Sequence, residues 1–160
     1  MSAAVSLQVL APVDGRAVPL ADVPDAVFSA GMVGYGAAIE PGPGTVDATA
    51  PVPGTLVRLM PHAYVVLTAD GVGVLVHLGL DTVTLDGAGF TVHAAQGDKV
   101  TAGEKIVTYD VAAVTAAGLN PIVAVVVMDE REPANVVVSA AVRSGVAIRA
   151  GAELFTSLRR

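Results

Sequence analysis

Residues 11–20 read APVDGRAVPL and residues 50–59 read APVPGTLVRL, so that six of ten positions coincide. Each copy sets a proline ahead of a turn glycine and then enters an alternating apolar stretch, the punctuation of a strand-turn-strand unit. A chain that repeats such a unit is predicted to fold as an internally duplicated β-sandwich in which both copies supply equivalent strands. The plainer alternative is coincidence in a chain that holds 17 Gly and 10 Pro. Val-rich runs at 63–68, 72–78, 121–127 and 136–138, separated by Gly, Asp and Pro, fit the sandwich. Helix is expected only in VAAVTAA, capped by Asp110 and ended by Gly118, and for a turn or two after Pro24. QGDKVTAGEKIV at 96–107 places Gly97 and Gly103 either side of a short strand.

Composition narrows the chemistry. The chain has no Cys, which removes disulfides, thiolate metal sites and thiol nucleophiles. A net charge of −6 with no cluster of Lys or Arg argues against a nucleic-acid partner. No stretch approaches the roughly 20 apolar residues that span a bilayer, and MSAAVSLQVL lacks a basic start, so a cytoplasmic protein that is not membrane-embedded is expected. No linker or low-complexity tail appears, so one domain over residues 1–160 is expected, with an ordered core from about 6 to 157.

Three histidines stand in this apolar background: His62, His77 and His93. The runs HAYVVLT and VGVLVHLGL flank Ala69, Asp70 and Gly71. Asp-Gly is a favoured two-residue hairpin turn because both central positions of a type I′ turn need positive φ. That turn pairs Tyr64 with His77 and His62 with Gly79, whereas a turn at Ala69-Asp70 sets His62 opposite His77. Either register puts both imidazoles on one face; a three-residue loop would send them to opposite faces. The alternation turns Val72, Val74, Val76, Leu78 and Leu80 toward the core and leaves His77 with Gly73, Leu75, Gly79 and Asp81 on the other side. His93 has no such companion and is expected at the surface.

Two neighbouring imidazoles allow several chemistries. They could bind a metal if Asp81 or a partner protein completed the ligand set, act as acid and base, or form a phosphohistidine site with one ring as nucleophile and the other as donor. Spacing alone does not choose among these.

The string VHLGLDTV, preceded by the histidine of PHAYVV, resembles the glucose-type enzyme IIA domains of the bacterial phosphoenolpyruvate-dependent sugar phosphotransferase system. APVDGRAVPLADVPDAVFSAGMVGYGAAI, APVPGT, DGAGF, GDKVTAGEKIV and NPIVAVVVMDE extend the resemblance over most of the chain. It implies an all-β, compact antiparallel β-sandwich of the duplicated hybrid motif type with very little helix. It also implies a phosphotransferase component that needs no cofactor. His77 matches the histidine that accepts a phosphoryl group from the carrier protein HPr and passes it to a cysteine of a sugar-specific enzyme IIB domain. His62 matches the second histidine, which serves onward transfer, and Gly79 the residue whose carbonyl holds the other ring nitrogen. Asp81 matches an aspartate that meets a basic partner residue; its plainer role is to cap a turn through TVTL. Val27, Phe28, Met32, Val33, Leu75 and Val83 match an apolar docking face. Regulated transporters or metabolic enzymes are further partners in this picture, and a zinc ion shared with a partner at His62 and His77 is a further possibility.

The sequence also departs from its relatives. Met60 replaces a Thr that could orient the first histidine, the connection from APVPGT to Pro61 is shorter, and GAGF replaces the commoner GEGF near Asp86. The N-terminal stretch is short for an amphipathic membrane tail. Two rival functions fit parts of the pattern. A zinc hydrolase could use the H-x-x-x-D of His77 and Asp81, and a carrier module could bear a cofactor on Lys99 of Asp98-Lys99, which echoes a lipoylated pair.

Overall fold

A computed structural model describes residues 5–159. Its strands in chain order are β1 (Val5–Leu10), β2 (Gly15–Pro19), β3 (Gly34–Pro41), β4 (Thr45–Thr49), β5 (Gly54–Met60), β6 (Ala63–Leu67) and β7 (Gly73–Leu78). They continue with β8 (Phe90–Val92), β9 (Lys99–Val100), β10 (Lys105–Asp110), β11 (Val123–Met128), β12 (Val136–Val138), β13 (Ala147–Ile148) and β14 (Glu153–Arg159). Among the described residues α-helix is confined to α1 (Ala26–Ser29), α2 (Val111–Ala116) and α3 (Ala140–Ser144). Asp110 caps α2 by accepting from the Ala113 N–H at 3.1 Å. An eight-stranded antiparallel sheet in the order β13-β2-β3-β11-β7-β6-β5-β9 faces two three-stranded sheets, β1-β14-β12 and β4-β10-β8.

The repeat corresponds to a pseudo-two-fold relationship. Gly15 on β2 pairs with Ile148 on β13, as Gly54 on β5 pairs with Val100 on β9. Where the copies cross, the Leu10 N–H donates to the Pro51 carbonyl and the Thr49 N–H to the Pro12 carbonyl, both at 2.9 Å. Ala11 exchanges hydrogen bonds with the 151–152 segment, and Ala50 does the same with 103–104. Ala11, Val13, Ala50 and Val52 have no exposed surface, so the crossing has room only for small side chains.

The main core lies between the layers. Val74, Val76, Leu78, Val123 and Val125 from the large sheet join Val9, Val107, Tyr109 and Phe155 from the small ones in one buried cluster. A second cluster covers the outer face of the large sheet, where Leu20, Val23 and Phe28 pack over Val18, Ala38, Ala124 and Val126.

The β6–β7 hairpin differs from the expected two-residue turn. Ala69, Asp70 and Gly71 form a three-residue loop, so that Ala63 pairs with His77 and Tyr64 with Val76. The Gly71 N–H donates to the Thr68 carbonyl at 3.0 Å with Gly71 at φ +84°, and the Val72 N–H donates to Thr68 Oγ1 at 3.1 Å. A turn followed by a left-handed glycine is the usual three-residue closure, and the Thr68 hydroxyl stabilises it.

Candidate functional site

His77 stands on the outer face of β7 between two alanines, Ala63 on β6 and Ala124 on β11. Small neighbours leave room on the sheet for its ring, which is half-buried. Phe28 of α1 lies against it with ring centroids 5.2 Å apart. Asp25 fixes that helix by accepting from the Val27 N–H at 2.9 Å.

One residue before the start of β6, His62 belongs to the Pro61-His62 turn and escapes the strand alternation. The three-residue loop therefore does not separate the histidines as strand parity would require. Their rings meet edge to face, with centroids 5.3 Å apart and an interplanar angle of 75°. The His62 main chain is held by the Leu78 N–H, which donates to its carbonyl at 2.8 Å. Packing against His77 thus orients a ring for which relatives have a nearby Thr.

The His77 ring is aimed by its other nitrogen. Nδ1 lies 2.6 Å from the Gly79 carbonyl oxygen. A carbonyl only accepts, so Nδ1 carries the proton and, in the neutral ring, Nε2 keeps its lone pair. Burial pushes the His77 pKa below its ordinary value; the Gly79 bond and the charges of Asp25 and Asp81 act in the opposite sense and offset this only in part. His62 is lowered by burial and by the His77 imidazole beside it. Two adjoining imidazoles do not both take protons readily, so the pair is predominantly neutral at neutral pH.

Asp81 is exposed and left-handed at φ 59°, ahead of a 3₁₀ turn over Thr82–Leu85. The capping role expected of its side chain is not found: it makes no cap hydrogen bond. Its carbonyl accepts from Thr84 Oγ1 at 2.7 Å, so the backbone secures the turn and the carboxylate remains at the rim. Asp25, which sequence reasoning passed over, has the signature of an N-cap residue in P-D-A-V-F.

The six apolar residues assigned to docking divide. Val27 is 45% exposed, Met32 61% and Val83 64%. Val33 and Leu75 are half-buried against the outer cluster. Phe28 is buried: the short α1 folds it into the outer cluster with Ala124 and Val126. His93, by contrast, joins a surface chain in which its Nε2 is 2.6 Å from Thr108 Oγ1.

The solved glucose permease IIA of Mycoplasma capricolum has the same fold at a TM-score of 0.81 and 34% identity, covering 95% of this chain and 96% of that one. Residues 7–132 match the family described as phosphoenolpyruvate-dependent sugar phosphotransferase system, EIIA 1. The chain belongs to this family. The EIIA chain is 37% identical over 138 residues to the glucose-specific EIIA component of Oceanobacillus iheyensis, covering 83% of this chain and 82% of that protein. It is 41% identical over 127 residues to the mannose-specific EIIBCA component of Corynebacterium glutamicum, covering 79% of this chain but 19% of that much longer protein. The EIIA family does not favour the zinc-hydrolase reading, and among the described residues no three His, Asp or Glu side chains are grouped to hold a metal ion. Nor does Lys99 sit at a hairpin tip as in a carrier module: it lies within β9 and pairs with Thr55.

Proposed function

We propose that His77 Nε2 accepts a phosphoryl group from phosphorylated HPr and passes it to a cysteine of an enzyme IIB domain. The observation that carries this reading is the 2.6 Å contact between His77 Nδ1 and the Gly79 carbonyl. It leaves Nε2 as the nitrogen with a free electron pair. In the first step that pair attacks phosphorus, the new N–P bond forms as the donor imidazole's N–P bond breaks, and the donor ring leaves with the bonding electrons. In the second a cysteine sulfur displaces the His77 ring in the same way. Little covalent work falls to the protein, which aligns the groups and stabilises charge.

Lowered proton affinity keeps the acceptor ring neutral, while the His62 edge offers a hydrogen-bond donor to the phosphoryl oxygens. Asp25 and Asp81 supply negative charge for a basic partner residue, and exposed Val27, Met32 and Val83 supply apolar surface. A docked partner would exclude water from the phosphohistidine. Relatives whose names join EIIB, EIIC and EIIA in one chain support an enzyme IIB recipient. No helix of the described residues is long and apolar enough to cross a membrane.

Incubation with phosphoenolpyruvate, enzyme I and HPr tests the relay. Wild type should take up one acid-labile phosphoryl group and His77→Ala none. His62→Ala should take it up yet deliver it to enzyme IIB more slowly by about 10²–10³-fold, the usual cost of a lost charge-stabilising donor. Uptake by His77→Ala would contradict the assignment.

A further inference from the structure

Two successive peptide groups tie the His77 ring to its site, and each is held at both ends. In the first, the Leu78 carbonyl accepts from Thr82 Oγ1 at 2.7 Å while the Gly79 N–H donates to the Ile122 carbonyl at 3.0 Å. In the second, the Gly79 carbonyl accepts from His77 Nδ1 at 2.6 Å while the Leu80 N–H donates to the Asn120 carbonyl at 2.8 Å. Gly79 is the pivot between them. It sits at φ +80°, and a Cβ there would stand 2.6 Å from Thr82 Cγ2 and 3.0 Å from the Tyr109 hydroxyl.

Ile122 and Asn120 hold their peptide N–H groups through main chain. Apart from His77 itself, the side chain in this set is Thr82, which has no exposed surface. It can touch neither solvent nor a visiting partner. Its hydroxyl is spent on the carbonyl one peptide before the one that orients the phosphoryl acceptor.

We propose that Thr82 is a positioning residue for His77. Its hydroxyl fixes the tilt of the 78–79 peptide, so the Gly79 carbonyl points at Nδ1 and retains the proton there. Without the hydroxyl a buried carbonyl loses a donor, and the glycine that follows has the backbone freedom to let the peptide turn. The carbonyl then leaves Nδ1, and the proton redistributes to Nε2, the nitrogen that must attack phosphorus.

The test compares Thr82→Val, which keeps the shape and loses the hydroxyl, Thr82→Ala, which loses both groups, and Thr82→Ser, which keeps the hydroxyl. Nitrogen-15 NMR of the unphosphorylated protein reports the His77 tautomer, and stopped transfer from phosphorylated HPr reports the uptake rate. Wild type and Thr82→Ser should hold the proton on Nδ1. Thr82→Val and Thr82→Ala should populate the Nε2–H form and slow uptake by about 10- to 100-fold, as for other residues that orient a reacting ligand from behind, with KM for HPr unchanged. The kinetic consequence rests on the relay reading; the tautomer does not, so a wild type that takes up no phosphate would refute the relay and leave the NMR result to judge Thr82. If either variant folds and keeps the proton on Nδ1, or if Thr82→Ser loses it, the role of Thr82 is structural only and the proposal is overturned.

Discussion

The imidazoles of His62 and His77 meet edge to face at 5.3 Å although the register that pairs Ala63 with His77 puts residue 62 out of phase with residue 77. The contact exists because His62 stands in the turn before β6, where no strand parity applies. Both rings are depressed in proton affinity by burial, and His62 further by its neighbour.

A pH dependence of stability follows. The unfolded histidines titrate at about 6.5, whereas the folded pair titrates lower. Between the two values the unfolded chain binds more protons, so this contribution to stability is complete above about pH 6.5 and is lost as pH falls toward the native pKa values. Urea midpoints measured from about pH 7.5 to about pH 5.5 should fall with pH, and fall less in a His62→Gln, His77→Gln double variant. Equal pH dependence in the two proteins would contradict the shifts.

Phe28 shields His77 and closes the outer apolar cluster. Phe28→Ala should cost about 3 kcal/mol of stability and let water reach the ring, so that the His77 pKa rises toward its ordinary value. An NMR titration checks the second effect separately from the first; an unchanged or lower pKa would remove Phe28 from the site.

At the centre of the large sheet, Gly36 pairs with Val126, and a Cβ on it would stand 1.9 Å from the Val125 carbonyl oxygen. Gly42 has open space around it. Gly36→Ala should lose about 1–3 kcal/mol or more by overpacking, whereas Gly42→Ala should stay within about 0.5 kcal/mol of wild type. Chemical denaturation of the two variants side by side measures the difference.

Much of this fold was legible because its pattern is local. The APVDG and APVPG repeats announced the duplication, and alternation along 72–78 sorted Val74, Val76 and Leu78 from His77; past the left-handed Gly79 it fails, and Leu80 joins the outer cluster instead of the main core. The partner half of each copy was not visible, since the segments that embrace Ala11 and Ala50 share little beyond Ala-Gly and are recognised by their hydrogen bonds. The hairpin loop was misjudged because Asp-Gly is a strong turn signal, while the competing closure depends on a Thr68 hydroxyl bond and a left-handed Gly71. Phe28 was matched to the docking face by family resemblance alone, whereas it is buried in the outer cluster. The uninterrupted VAVVVM of β11 already indicated a strand buried on both faces and therefore in need of a cover. Asp25 and Thr82 acquire their importance through the three-dimensional route to His77, which sequence spacing does not reveal.

If the Gly79 carbonyl reserves His77 Nε2 for phosphorus, Nδ1 keeps its proton while Nε2 carries the phosphoryl group. Phosphorus–nitrogen coupling in the NMR spectrum of the phosphorylated, nitrogen-15-labelled protein tests it most directly. Phosphorus should be bonded to Nε2 of His77 with the proton still on Nδ1; phosphorus on Nδ1, or on His62, would overturn the assignment.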